Sequence, residues 1–261
     1  MPFLNINSID IYYFTGKTGI VKGRKNLLFI HGAGGSHKMW LKQLHHFQGN
    51  YNPIAIELPG HGKSMGDGEK EIGSYTEWMK EIIEALSLDN CFLIGHSMGG
   101  AITMDFSLKY PKYLNGILLV GTGARLRVNP MILDSIRNDF YNAVELICRF
   151  GFSKDAPANL IEEGRKVMLK SRPDVLYGDF FACNNFDIIE RIEEISIPAL
   201  ILCGSEDKMA PTKYTYYLNE RIKVSQLKII EDAGHMVMLE KPREFNEAVE
   251  GFLRFPNIEM A

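Results

Sequence analysis

The stretch Leu93–Ala101, LIGHSMGGA, sets one serine among closely spaced glycines directly after an apolar run. Gly95-His96-Ser97-Met98-Gly99 has the G-x-S-x-G spacing of a strained turn between a strand and a helix. Residues without side chains two positions either side of Ser97 leave room for such a turn. A helix starting at Met98 would aim backbone N–H groups and its positive dipole end at the serine. The chemistry this suits is nucleophilic attack, but a serine hydroxyl is barely ionised at neutral pH and needs a base. Of seven histidines, His235 in EDAGHMVMLEKP lies in a loop after an apolar run and before the final helical segment. His45 and His46 read as surface residues of a helix, and His96 as a local packing or hydrogen-bonding group. His37 and His61 sit in loops, with a structural or substrate-facing role. A base of this kind needs an acid to fix its tautomer. Asp207 in GSEDKMAP follows the apolar run ALILC, and Glu206 is its nearest rival. Asp232 is too close to His235 along the chain for their side chains to meet. The loop Gly121-Thr122-Gly123, a second place for an acid, offers no carboxylate.

A tetrahedral intermediate carries negative charge and needs donors. Met98 N–H, directly after the serine, is one candidate. The other comes from His31-Gly32-Ala33-Gly34-Gly35, with Ala33 first and Gly34 second. Gly32, His96, Met209 and Met236 are the candidate pocket residues. Nucleotide binding does not fit this loop, because Gly32-x-Gly34 is followed by His37 where a third glycine is needed. The pairs Gly16-Lys17 and Gly62-Lys63 lack the upstream glycine of a phosphate loop. No metal site and no organic cofactor is expected.

These residues have to be positioned by something. Consecutive apolar residues at 26–30, 53–57, 91–94, 116–120, 199–203 and 226–230 predict strands of a parallel sheet covered on both faces. Residues 3–6 and 9–14 predict an N-terminal hairpin. Helices are expected at 38–48, 74–87, 98–109, 211–221 and 242–254. Ser74 and Glu77 have capping-box spacing, and Pro242 suits a first helical turn. The strand rhythm breaks from about 124 to 194, where only helical patterns appear. We therefore expect a core of 1–123 and 195–261 with a helical cap inserted at 124–194. The cap's Met131, Ile132, Phe140, Leu146, Phe150, Phe152, Met168, Leu169, Phe180 and Phe181 are mostly core, but some must roof the site. An apolar roof, with Met209, Met236 and Met238 beside the acid and base, favours an acyl chain or an aromatic ring. Arg125 and Arg127 read as surface charge, or else as binders of a carboxylate or phosphate.

The chain has 261 residues, 46% of them hydrophobic, enough for one α/β domain with an inserted subdomain. A net charge of −3 with no long basic run argues against nucleic acid as the main partner. No apolar stretch is long enough to span a membrane, and the N-terminus lacks a signal-peptide pattern. Cys91, Cys148, Cys183 and Cys203 are scattered, which fits buried free thiols in a cytoplasmic protein. Monomer and homo-oligomer are equally compatible with the sequence.

Taken together, HGAGG at 31–35, ELPGHGKS at 57–64, GHSMGG at 95–100, GSEDKMAP at 204–211 and AGHMVMLEKP at 233–242 resemble the α/β-hydrolase fold family over nearly the whole chain. The resemblance implies a mostly parallel eight-stranded sheet, helices on both faces, a cap, and Ser97, Asp207 and His235 as a triad. One departure is Glu57, where many relatives carry aspartate. Relatives that attack alkyl carbon use an aspartate nucleophile; a serine implies acyl transfer instead. The expected activity is hydrolysis of a small carboxylic ester of short to medium acyl chain. A thioesterase, or a carbon–carbon hydrolase acting on meta-cleavage products, would use the same residues. A ligand-binding receptor with slow turnover is the alternative of another class.

Overall fold

The computed structural model describes residues 2–254. Met1 and 255–261, the outer ends of the expected core segments, lie outside the described residues. The chain begins with β1 (Phe3–Ile6) and β2 (Ile9–Thr15), followed by β3 (Asn26–Ile30), α1 (Leu41–Phe47), β4 (Asn52–Ile56) and α2 (Ile72–Ala85). Then come β5 (Cys91–His96), α3 (Met98–Lys109) and β6 (Leu114–Val120). Four helices without a strand among them follow: α4 (Pro130–Asn138), α5 (Phe140–Gly151), α6 (Ala158–Met168) and α7 (Pro173–Asn185). The chain closes with β7 (Ala199–Gly204), α8 (Thr212–Arg221), β8 (Ser225–Ile230), α9 (Val237–Glu240) and α10 (Pro242–Arg254).

All eight strands form one sheet in the order β1-β2-β4-β3-β5-β6-β7-β8. The pairings β1/β2 and β2/β4 are antiparallel, and every pairing from β4 to β8 is parallel. The run β3-β5-β6-β7-β8 therefore ends its strands side by side along one edge. Strand side chains alternate between faces. Leu27, Phe29, Phe92 and Ile94 pack on one face with Trp40, Phe47, Phe245 and Phe252. Leu28, Ile30, Leu93 and Ile117 pack on the other with Tyr75, Met79, Ile82 and Phe106. Each such fully buried aliphatic residue contributes about 1.5–3 kcal/mol. A smaller cluster of Ile136, Ala143, Ile147, Leu176 and Phe180 joins α4, α5 and α7.

Some expected boundaries move. β6 starts at Leu114, because the strand continues past an irregularity in its pairing that sets Asn115 outside the register with β5. The helix expected at 38–48 is a 3₁₀ turn, His37–Trp40, leading into the shorter α1. The Ser74/Glu77 capping box does not form. Ile72 is already buried, so α2 starts earlier with Glu71 at its N-cap, and Glu77 instead accepts from the Tyr110 hydroxyl at 2.6 Å. The four cysteines are free and buried. Among the described residues no helix is long and apolar enough to cross a membrane.

Candidate active site

Ser97 occupies the single position between β5 and α3, with φ 53° and ψ −113°. That left-handed conformation is costly for a residue with a Cβ, of order 1–3 kcal/mol, so the surroundings must hold it. They do so by close approach. A Cβ on Gly95 would overlap the backbone of Gly99, and one on Gly99 would lie 2.5 Å from Ile30 O. Ser97 N donates to Val120 O at 2.9 Å, and the Thr122 hydroxyl donates to Ser97 O at 2.9 Å. The turn is thus pinned from β6, a contribution that sequence reading misses because Thr122 is in no recognisable motif.

His235 and Asp207 follow β8 and β7. Both are buried, and His235 Nδ1 lies 2.8 Å from Asp207 Oδ2. A carboxylate only accepts, so Nδ1 carries a proton, and Nε2 is the nitrogen left to act as a base. The other carboxylate oxygen accepts from Met209 N at 2.9 Å and Ala210 N at 2.8 Å, which fixes its orientation. Gly121 lies against the pair; a Cβ there would be 3.1 Å from both Asp207 Oδ2 and His235 Nδ1. Glu206, the rival acid, turns away and accepts from Lys154 N at 3.2 Å. Asp232 is exposed, and its N–H donates to the Ser205 hydroxyl at 3.1 Å.

His96 Nε2 donates to His235 O at 3.0 Å, and the two rings lie 4.5 Å apart. Burial, and then the nearby His235, hold His96 well below its ordinary pKa, so it is neutral. It supports the backbone of His235. The two surface histidines are exposed as expected, with His46 paired to Glu250 at 2.8 Å. His37 and His61 are buried and paired with carboxylates, Glu57 at 2.6 Å and Asp179 at 2.8 Å. Burial works against the charge of Glu57, but His37 and Lys63 N–H outweigh it and hold its carboxyl below the ordinary value. A Cβ on Gly62 would overlap that carboxylate, so the longer glutamate fills its site completely.

One cavity of about 620 Å³ has Ser97 and His235 in its wall, together with Gly32–Gly35, His96, Met209 and Met236. Ile132, Phe150, Phe152, Met168 and Phe180 from the α4–α7 segment form much of the rest. Met131 is exposed, as is Phe181. Arg127 also borders the cavity, whereas Arg125 is paired with Asp187 through its Nε at 2.6 Å. Cys148 and Cys183 are rival nucleophiles in the wall, but burial pushes the Cys148 thiol up to about 11 and raises Cys183 as well.

The three candidate donors differ in availability. Gly34 N donates to the buried Asp179 carboxylate at 2.8 Å. Ala33 N–H and Met98 N–H have no protein acceptor among the described residues. Asp179, which lies on α7, belongs to no motif of the sequence and was not among the expected site residues.

With this geometry goes a clear relationship. Residues 27–248 match the alpha/beta hydrolase family, and the chain belongs to it; it is an enzyme of the hydrolase class. It is 27% identical over 257 residues, 95% of each chain, to (E)-2-((N-methylformamido)methylene)succinate hydrolase of Acinetobacter baylyi. It is 27% identical over 261 residues, 88% of each chain, to 2-hydroxy-6-oxononadienedioate/2-hydroxy-6-oxononatrienedioate hydrolase of Klebsiella pneumoniae. A solved thermophilic esterase superimposes with a TM-score of 0.86 at 34% identity, covering 96% of both chains.

Proposed function

We propose that the protein is a serine carboxylesterase acting on small esters of short to medium acyl chain, with residues 124–194 as a cap over the site. The observation that carries this is a strained Ser97 in the wall of the same apolar cavity as a histidine whose Nδ1–H is held by a buried carboxylate. Ser97 Oγ attacks the acyl carbon while His235 Nε2 takes its proton, and Asp207 stabilises the imidazolium. Ala33 N–H and Met98 N–H receive the oxyanion, whereas Gly34 N–H is already engaged by Asp179. His235 then protonates the leaving alcohol. Water, deprotonated by His235, attacks the acyl-enzyme and releases the acid with Ser97 regenerated. The 34% identity to a thermophilic esterase supports the ester over other acyl substrates.

The test is a panel of p-nitrophenyl esters, thioesters and vinylogous diketones assayed with wild type and Ser97→Ala. Ester turnover should be fastest and should fall about 10⁶-fold in the variant. Undiminished ester hydrolysis in purified Ser97→Ala would sink the assignment. A second reading, cleavage of a carbon–carbon bond, is favoured by the Klebsiella pneumoniae relative. Faster turnover of the diketone than of any ester would select it.

A further inference from the structure

We propose that Asp179 is a positioning residue for the oxyanion-binding loop, acting through the Gly34 peptide; this rests on the serine-hydrolase reading above. Gly34 is gripped on three sides by one short segment outside the sheet. Its N–H donates to Asp179 Oδ2 at 2.8 Å, and its carbonyl accepts from the Ser171 hydroxyl at 2.9 Å. A Cβ on Gly34 would lie 2.5 Å from Leu176 Cδ1, and its φ of +62° is one that other residues rarely adopt. The residue before it is Ala33. An oxyanion donor works within a window of about 2.7–3.1 Å, so a small shift of the Ala33–Gly34 peptide that carries the adjoining Gly32–Ala33 peptide with it removes Ala33 N–H from the developing charge.

Asp179 is fully buried and could not stay ionised there without partners. It has three. Besides Gly34 N–H, its carboxylate accepts from His61 Nε2 at 2.8 Å and from the Tyr75 hydroxyl at 2.6 Å. His61 Nδ1 faces Pro59 O at 3.0 Å, and a carbonyl only accepts. Both nitrogens of His61 therefore donate, and the ring is an imidazolium paired with Asp179. The neighbouring His31, with ring centres 4.7 Å apart, is neutral: its Nδ1–H donates to Gly32 O at 2.8 Å and its Nε2 accepts from Leu58 N at 3.2 Å. The loop is thus held from the β3 side through His31 and from α7 through Asp179. One carboxylate oxygen is shared between the loop and the imidazolium, so the charge that needs the pair also fixes the loop.

Three variants test this: Asp179→Ala, Asp179→Asn and Ser171→Ala. Each is compared with wild type for kcat and KM on a p-nitrophenyl ester, for binding of a boronic acid that forms a tetrahedral adduct on serine, and for thermal melting. In Asp179→Ala, kcat should fall about 10- to 100-fold while KM stays within about threefold. Boronic-acid affinity should weaken by the same factor as kcat/KM. Asp179→Asn keeps an oxygen for Gly34 N–H and should recover most of the loss; Ser171→Ala should lose about two- to fivefold in kcat. An Asp179→Ala protein that melts earlier but keeps wild-type kcat and boronic-acid affinity overturns the proposal. If Asp179→Ala does not fold, wild-type kcat and boronic-acid affinity in Ser171→Ala overturn it. A wild type without Ser97-dependent hydrolysis overturns the esterase reading instead, and the boronic-acid comparison still decides the role of Asp179.

Discussion

The loops at the ends of β3, β5, β7 and β8 and the α4–α7 segment face each other across one cavity, yet they are built on different principles. Each loop is short; β3, β5 and β7 are buried throughout, and the edge strand β8 is buried at Ile230, where its loop leaves. Ser97, Asp207 and His235 lie within a few residues of those strand ends, so the sheet sets their positions. The helices have a thinner foundation. α6 has no fully buried residue and α4 has only Ile136, while α7 is buried along most of its length. Polar contacts tie the segment to the loops, among them Asp179 and Ser171 on Gly34, Lys154 N–H on Glu206, and Glu240 on the α5–α6 connection. Glu240 accepts from Gly234 N at 3.0 Å and from Ser153 N at 3.1 Å, bridging the histidine loop and the helices. Sheet-anchored groups are rigid by construction, whereas groups met by the helices are held only as well as these contacts hold.

If that contrast is right, damage on the sheet side should fall on chemistry. The largest effect, after loss of Ser97 itself, is expected for Asp207→Asn. The amide NH₂ can donate to Nδ1 and hold His235 in the wrong tautomer, and kcat should drop about 10⁴-fold with the fold intact. Steady-state kinetics beside a circular-dichroism spectrum checks both halves; a loss under tenfold would break the contrast.

On the helix side the effects should be smaller and felt first as stability or pH dependence. Burial disfavours the charged form of His61, but the Asp179 carboxylate and the Pro59 carbonyl outweigh it and raise its pKa above the ordinary 6.5. A raised folded value means that the pair stabilises the fold fully below about pH 6.5 and loses that contribution as pH rises through the folded value. The stability gap between wild type and Asp179→Asn, measured by urea unfolding, should therefore be wider at pH 6 than at pH 9. His31 is pushed the other way, to about 4, by burial and then by His61, but it is common to both proteins and largely cancels. A gap that widens with pH would contradict the imidazolium assignment. The smallest expected change is for Glu240→Gln, which keeps one acceptor oxygen and loses the charge. It should cost about 1–3 kcal/mol of stability and only a few-fold in kcat. A larger loss in kcat than Asp179→Ala shows would reverse the ranking of the two ties.

The same contrast decided what could be read from the chain. Apolar runs marked the six strands β3 to β8, most plainly β3, β4, β5 and β7, because a strand buried on both faces leaves no polar register; β1 and β2 were marked as a hairpin. The short motifs at their ends marked Ser97, Asp207 and His235 as neighbours because a parallel sheet brings strand ends together. The start of α2 was misjudged because burial of Ile72 outweighed a local capping pattern. Asp179 was missed because a lone aspartate in a helical pattern carries no sign that it will be buried against residues far away in the chain.

By itself, the sequence determined the fold class and the chemical types at the sheet edge, since periodicity and glycine spacing are local properties. Only the tertiary structure decided that Asp207, not Glu206, faces His235, and that Gly34 N–H is taken while Ala33 N–H is free. Those choices turn on where side chains from distant segments arrive. A hydrogen bond across 145 residues, such as that from Gly34 to Asp179, is set by packing and leaves no pattern in the residues on either side.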